Sequence, residues 1–122
     1  MNQQEGEILL AKVLYVASLY DFYGPLLTEK QRQCISMHYL EDMSLTEIGA
    51  EFGISRQAVH DILRRAEQIL EDYENALHLV KRHEEQRRIV QNIYDLIAGL
   101  PAEICANPAT QQAMQQLKVL LD

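Results

Sequence analysis

The sequence is short of most features that mark an enzyme, a metalloprotein or a membrane protein. It has no glycine-rich phosphate loop, no nucleophile with a base at readable spacing, and no cluster of metal ligands. His83 beside Glu84 and Glu85 reads as a solvated face rather than a reactive pair. Catalysis, a cofactor and a bound metal are therefore not expected. Cysteine is scarce: Cys34 and Cys105 stand apart without a CxxC pairing, as two reduced thiols of a cytoplasmic protein would. No run of alternating β-branched residues lasts long enough for a strand, so the fold is expected to be all-α, without winged elements. Residues 8 to 23 (ILLAKVLYVASLYDFY) are apolar, but they are too short for a bilayer span and carry Lys12 and Asp21. The preceding QQEGE has no basic region of a signal peptide, so neither export nor membrane insertion is expected. Positive charge is the last shortage, with 11 basic against 18 acidic residues and a net charge of −7. A strongly cationic duplex binder would look different, because phosphate neutralisation supplies most non-specific affinity. A local basic face can still dominate within one Debye length.

What is present is helical periodicity. At 122 residues the chain fits one compact domain with an appendage, and such a length buries roughly two thirds of its unfolded surface. A first helix is predicted from about Glu7 to Tyr23, with Leu10, Val13, Leu14, Ala17 and Tyr20 on one face, ended by Gly24-Pro25. Thr28 and Gln31 form a capping box for a second helix that buries Ile35, Tyr39 and Leu40. Ser44 and Glu47 form another, opening a short third helix. Gly53 closes it, and Ser55 caps a fourth helix carrying Val59, Ile62, Ala66 and Ile69. That helix is expected to flow into a long connecting helix through Tyr73, Leu77 and Val80. The segment KRHEEQRR, 81 to 88, has no apolar residue and reads as a solvated helix or hinge. The other reading, a phosphate-binding patch of Lys81, Arg82, Arg87 and Arg88, is opposed by Glu84 and Glu85 in its middle. Ile89, Ile93, Leu96, Ile97 and Leu100 then resume helical spacing up to Gly99 and Pro101. A last helix follows Asn107-Pro108. The division expected is a helix-turn-helix domain over 1–80 and a helical C-terminal extension over 81–122.

The corner at LTEIGAEFGISRQAVHDILR carries the most information. Ile48, Phe52, Ile54, Val59 and Ile62 fall at the positions that pack between the two rods of a helix-turn-helix. Gly49 falls where the second helix crosses, and Gly53 where the turn needs a positive φ. The same geometry leaves Ser55, Arg56, Gln57, His60, Asp61 and Arg64 pointing outward, as residues that face a major groove would. Arg56 suits a guanine edge and Gln57 an adenine edge, each worth about 1–3 kcal/mol of discrimination. Ser55, Arg64 and Arg65 suit phosphates, and His60 is a further base contact or idle. From Ser55 to Ala66, three arginines against Asp61 give +2, whereas residues 28–72 hold nine acids and five bases, −4. Helix-turn-helix units also serve as plain protein-binding modules, so that alternative stays open.

The stretch LTEKQRQCISMHYLEDMSLTEIGAEFGISRQAVHDILRRAEQIL resembles region 4 of bacterial sigma factors. More closely, DFYGPLLTEKQR, YLEDMSLTEI and SRQAVHDILRRAE resemble the YlxM family, encoded beside the signal recognition particle GTPase in Gram-positive bacteria. The resemblance spans about residues 10 to 80, and the tail after Val80 matches less well. It implies a sigma-region-4-like domain acting alongside the particle, through its RNA or its GTPase. Ser55, Arg56, Gln57 and Arg64 carry over onto the recognition helix. A complete sigma factor is not expected, for want of an upstream polymerase-binding segment. Three functions remain: an accessory protein of the particle, a sequence-specific DNA-binding regulator, and an interaction module that binds no nucleic acid. The helix expected over 67–97 would expose Leu77, Val80, Ile93 and Ile97, which either a homodimer or the last helix would cover.

Overall fold

Side-chain caps decide where most helices begin. In the computed structural model, which describes residues 2–122, Asn2 opens α1 (Gln3–Tyr23) by accepting from the Glu5 amide while Glu5 accepts from the Asn2 amide. Thr28 and Gln31 do the same for α2 (Glu29–Ile35), and Ser44 and Glu47 for α3 (Leu45–Phe52). Ser55 caps α4 (Arg56–Leu77) through the Ala58 amide, 3.1 Å away. A 3-10 turn, Gly24–Leu26, joins α1 to α2, and α2 runs on into a π-helical turn, Ser36–Leu40. Then follow α5 (Leu79–Ala98), α6 (Ala102–Cys105) and α7 (Pro108–Leu121), the last capped by Asn107 with Pro108 at its first position. The protein is all-α, with no strand among the described residues, and no helix is long and apolar enough to cross a membrane.

The chain divides into two compact units, the first ending at Val80 and the second starting at Lys81. The core of the first gathers Val16, Leu19 and Tyr23 from α1, Cys34 and Ile35 from α2, Ile48 from α3, and Val59, Leu63, Ala66 and Leu70 from α4, with Leu27 and Val80 at its margins. Each large apolar side chain so buried contributes about 1.5–3 kcal/mol. In the second unit Tyr94, Ile97, Met114 and Leu117 are half-buried, and residues 81–88 form an exposed stretch of α5. Gln111 Nε2 donates to the Cys105 carbonyl, tying α7 to the end of α6.

Three expectations need correcting. First, α1 starts four residues earlier than Glu7 and buries a different face. Val16, Leu19 and Tyr23 turn inward while Leu10 and Leu14 stay 58% and 59% exposed. Apolar residues occur on every side of this helix, so periodicity could not choose the buried one. Second, Leu40 is exposed, because the π-helical turn shifts the register beyond Ile35; Tyr39 remains half-buried. On α4, likewise, Leu63 and Leu70 are buried and Ile62 and Ile69 only flank the core.

Third, the segment 67–97 is not one helix. His78 adopts a left-handed conformation, φ 56, and separates α4 from α5. A buried polar network sits at this break. Tyr23 Oη donates to Glu74 Oε1 at 2.6 Å and accepts from the Leu79 amide at 3.1 Å. Glu74 Oε1 also accepts from the Val80 amide at 3.0 Å. The first two amides of α5 thus find partners on α1 and α4, as the open end of a helix requires. Val80, expected to be exposed, is buried beside them.

Removing the Tyr23 hydroxyl would leave the Glu74 carboxylate and the Leu79 amide each short of a partner inside the fold. Tyr23→Phe is expected to lower the unfolding free energy by about 1–3 kcal/mol. Burial first, and then the hydrogen bond to Glu74, hold the Tyr23 phenol above its ordinary value of 10.0. The unfolded chain therefore releases this proton before the folded one. The stabilisation is complete below pH 10 and is lost as pH rises through the folded value. Urea denaturation between about pH 8 and 11 should show a decline in stability that is shallower in Tyr23→Phe.

Candidate nucleic-acid interface

The corner between α3 and α4 positions the exposed ridge. Gly53 has φ 67 and ends α3, with its amide bonded to the Gly49 carbonyl. The Ile54 amide bonds the same carbonyl at 2.9 Å. A Cβ on Gly49 would stand 2.7 Å from the Ile54 carbonyl oxygen, so the turn itself, rather than the crossing helix, requires a glycine there. Ile48 and Val59 are fully buried, and Phe52, Ile54 and Ile62 pack, half-buried, against the core to which both belong. The five expected plugs thus all lie in or against the one core.

The opposite side of α4 is open. Ser55, Arg56, Gln57, Asp61, Arg64 and Arg65 are exposed. His60 is not fully outward: its side chain is 43% exposed, and its Nδ1 is shielded from solvent without a hydrogen-bond partner. It leans off the ridge because residue 60 lies between the buried Val59 and Leu63 and the outermost positions of the helix. Arg56, His60 and Arg64 form one row at intervals of four. Gln57, Asp61 and Arg65 form the next. Within the second row Gln57 Nε2 donates to Asp61 Oδ1 at 3.0 Å, so Gln57 meets a base only by giving up or sharing that bond. Among the described residues, Arg56, Arg64 and Arg65 have no ion-pair partner.

The structure adds neighbours that no spacing in the sequence could reveal. Lys30 of α2 lies with its ammonium 5.6 Å from the centre of the Phe52 ring. Together with Thr28, Gln31, Asp61, Ile62 and Arg65 it lines a shallow depression of about 340 Å³ beside the ridge. Its only signal in the sequence is its place in the second capping box, which does not say which helix it will face. Among the described residues no group of three or more His, Cys, Asp or Glu side chains is placed to hold a metal ion.

Residues 10–104 match the family model UPF0122, described as "Putative helix-turn-helix protein, YlxM / p13 like". The UPF0122 protein of Geobacillus kaustophilus is 44% identical over 101 residues, which cover 80% of this chain and 92% of that protein. The UPF0122 protein of Bacillus thuringiensis is 46% identical over 90 residues, 74% of this chain and 82% of the relative. The matched region runs past residue 80, where the resemblance was expected to fade, and takes in the whole of α5. A fully solvated stretch such as 81–88 offers no packing pattern from which that continuation could be read.

The corner makes a specific demand on its backbone. Gly53→Ala is expected to cost about 1–2 kcal/mol, the penalty of a left-handed residue with a Cβ. Gly53→Asn should cost less, because asparagine tolerates that region. Thermal and urea denaturation of the two variants would order them.

Proposed function

The chain belongs to the UPF0122 family of YlxM/p13-like helix-turn-helix proteins, and from that premise we propose that it is a nucleic-acid-binding accessory or regulatory protein of the cytoplasm, without enzymatic activity, which engages its target through the exposed ridge of α4. One observation carries this reading. In a chain with 18 acidic residues, the three arginines of α4 remain exposed and, among the described residues, without an acidic partner. Solvated cations on the outer face of a helix-turn-helix suit phosphates and base edges. Arg56 takes a guanine edge, Gln57 an adenine edge once Asp61 releases it, and Ser55, Arg64 and Arg65 take phosphates. His60 lies at the flank of the groove-facing row.

The resemblance to YlxM proteins supports the RNA of the signal recognition particle as the target, with promoter-like DNA as the alternative nucleic acid. A second reading, contact with a protein, draws on a different observation. The N-terminal half of α1 leaves Ile8, Leu9, Leu10 and Leu14 each at least half-exposed, an apolar surface of the kind that marks protein contacts. The particle's GTPase and a second copy of this chain are the partners in that reading.

A salt-titrated binding assay against signal recognition particle RNA, random duplex DNA and the purified GTPase separates these outcomes. The expected result is nucleic-acid binding whose affinity falls steeply with salt. Arg56→Ala is expected to weaken discrimination between targets by about 1–3 kcal/mol. Retention of the GTPase with no nucleic-acid binding at any salt would reject the reading in favour of a protein module. An unchanged sequence preference in Arg56→Ala would remove the base-reading role alone.

A further inference from the structure

We propose that the groove enclosed by α1, the π-helical turn and α4 is a second anion site, which holds one backbone phosphate of the bound nucleic acid beside the α4 ridge; the inference rests on the nucleic-acid-binding reading above. The groove, about 360 Å³, is lined by Lys12 of α1, His38 and Tyr39 of the π-helical turn, and His60, Arg64 and Glu67 of α4, with Leu45 of α3 and Leu63 of α4 completing it. Three elements distant in sequence therefore bring two imidazoles, an ammonium and a guanidinium to one concavity.

The carboxylates nearby are already engaged. Glu67 accepts from Tyr39 Oη and lies 3.9 Å from the Lys12 ammonium. Asp61 accepts from Gln57. What remains available is the nitrogen chemistry. Arg64 has no ion-pair partner among the described residues. His60 Nδ1 is shielded from solvent and has no hydrogen-bond partner, and Asp61 Oδ1, 3.7 Å away, is beyond hydrogen-bond reach, so a phosphate meets this ring only at the exposed part of the side chain. The His38 ring is held in place: its Nδ1–H donates to the Met43 carbonyl at 2.9 Å, and it stands edge-on to Tyr39 with centroids 4.8 Å apart. Because a carbonyl can only accept, the Nδ1 proton is fixed, and Nε2 donates to a phosphate oxygen in the cationic ring, which carries a proton on both nitrogens.

Continuity with the ridge identifies the source of the phosphate. Arg64 belongs both to the groove and to the row of Arg56 and His60, which spans about 12 Å along the helix axis. A strand whose bases meet Arg56 and Gln57 therefore carries its phosphates past Arg64 and into the groove. A free phosphate would need no such continuity.

Two variants of the full chain test the site, each measured by salt titration with the nucleic acid that the wild type binds. At about pH 6, where free imidazoles are mostly cationic, His38→Gln/His60→Gln is expected to weaken binding on the order of tenfold and to lower the salt slope by about 1, equally for all sequences. Glu67→Gln keeps an acceptor for Tyr39 while removing the groove's carboxylate, and is expected to tighten binding. Unchanged affinity and slope in the histidine double variant, with Arg56→Ala still altering sequence preference, would overturn the groove and leave the ridge intact. Should the double variant lose its helical circular dichroism, Glu67→Gln decides, and no tightening rejects the site. Failure of the wild type to bind any nucleic acid rejects both proposals together. Saturable binding of inorganic phosphate, seen as shifts of the two histidine ring signals without nucleic-acid binding, would replace the backbone by a free anion and overturn the assignment.

Discussion

The first unit depends on how closely the backbone of α3 meets the turn that follows it. Gly49 lies so near the Ile54 carbonyl that a methyl group would stand only 2.7 Å from its oxygen. Nothing larger than hydrogen fits there, and so the turn lies flat on the last part of α3. Gly53 then reverses direction at φ 67, and both its amide and that of Ile54 bond back to Gly49. These contacts fix the angle at which α4 departs and the rotation of α4 about its own axis. Rotation matters as much as angle. Neighbouring residues on a helix differ by about 100°, so a slip of one residue would turn Arg56 toward the plugs and Val59 toward water. The full burial of Ile48 and Val59 in one core is the energetic reward for the correct rotation.

The far end of α4 is fixed by a different force. Burying the Glu74 carboxylate is costly in itself, and is tolerated because hydrogen-bond donors meet it there. An apolar residue at position 74 would pack as well but would leave the Val80 amide and the Tyr23 hydroxyl to find other partners. The network therefore specifies where α4 ends, rather than simply adding stability. It also joins the last residue of α1 to the helix that carries the ridge. Tyr15 repeats the pattern one turn earlier on α4, with its hydroxyl 3.0 Å from a Glu71 oxygen. The ridge is thus held at its start by apolar plugs and a glycine contact, and at its end by a buried phenol and a carboxylate.

These two mechanisms differ in how readable they are. Caps and turns are local, and the boxes at Thr28 and Ser44, the cap at Ser55 and the left-handed Gly53 were all legible from a few consecutive residues. The plugs of the corner were legible because their spacing is strict. Features that depend on distant partners were not. Nothing near Glu74 in the chain announces that Tyr23 will lie against it, so an amphipathic pattern running through His78 looks like one helix. The same is true of α1, whose buried face is chosen by α4 and not by its own periodicity. It applies to the ridge as well. Residues 55–65 could be assigned to the outer face, but the half-turned posture of His60 and the presence of Lys12, Lys30 and His38 beside it come only from tertiary packing.

Net charge is the wrong quantity by which to judge such a protein. Interactions between exposed charges fade beyond about 8 Å at physiological salt, so an approaching phosphate responds to the side chains nearest to it and hardly to the total of −7. On α4 those side chains are Arg56, Arg64 and Arg65, none of them ion-paired among the described residues, while Asp61 and Glu67, still charged, accept from Gln57 and Tyr39. The remaining acids of the first unit then act in the opposite sense, repelling any polyanion that approaches along another face. A uniformly basic chain would bind phosphates everywhere and discriminate little. On the function proposed above, an acidic body with an open cationic ridge on α4 would give up non-specific affinity and require the partner to arrive with Arg56 and Gln57 leading.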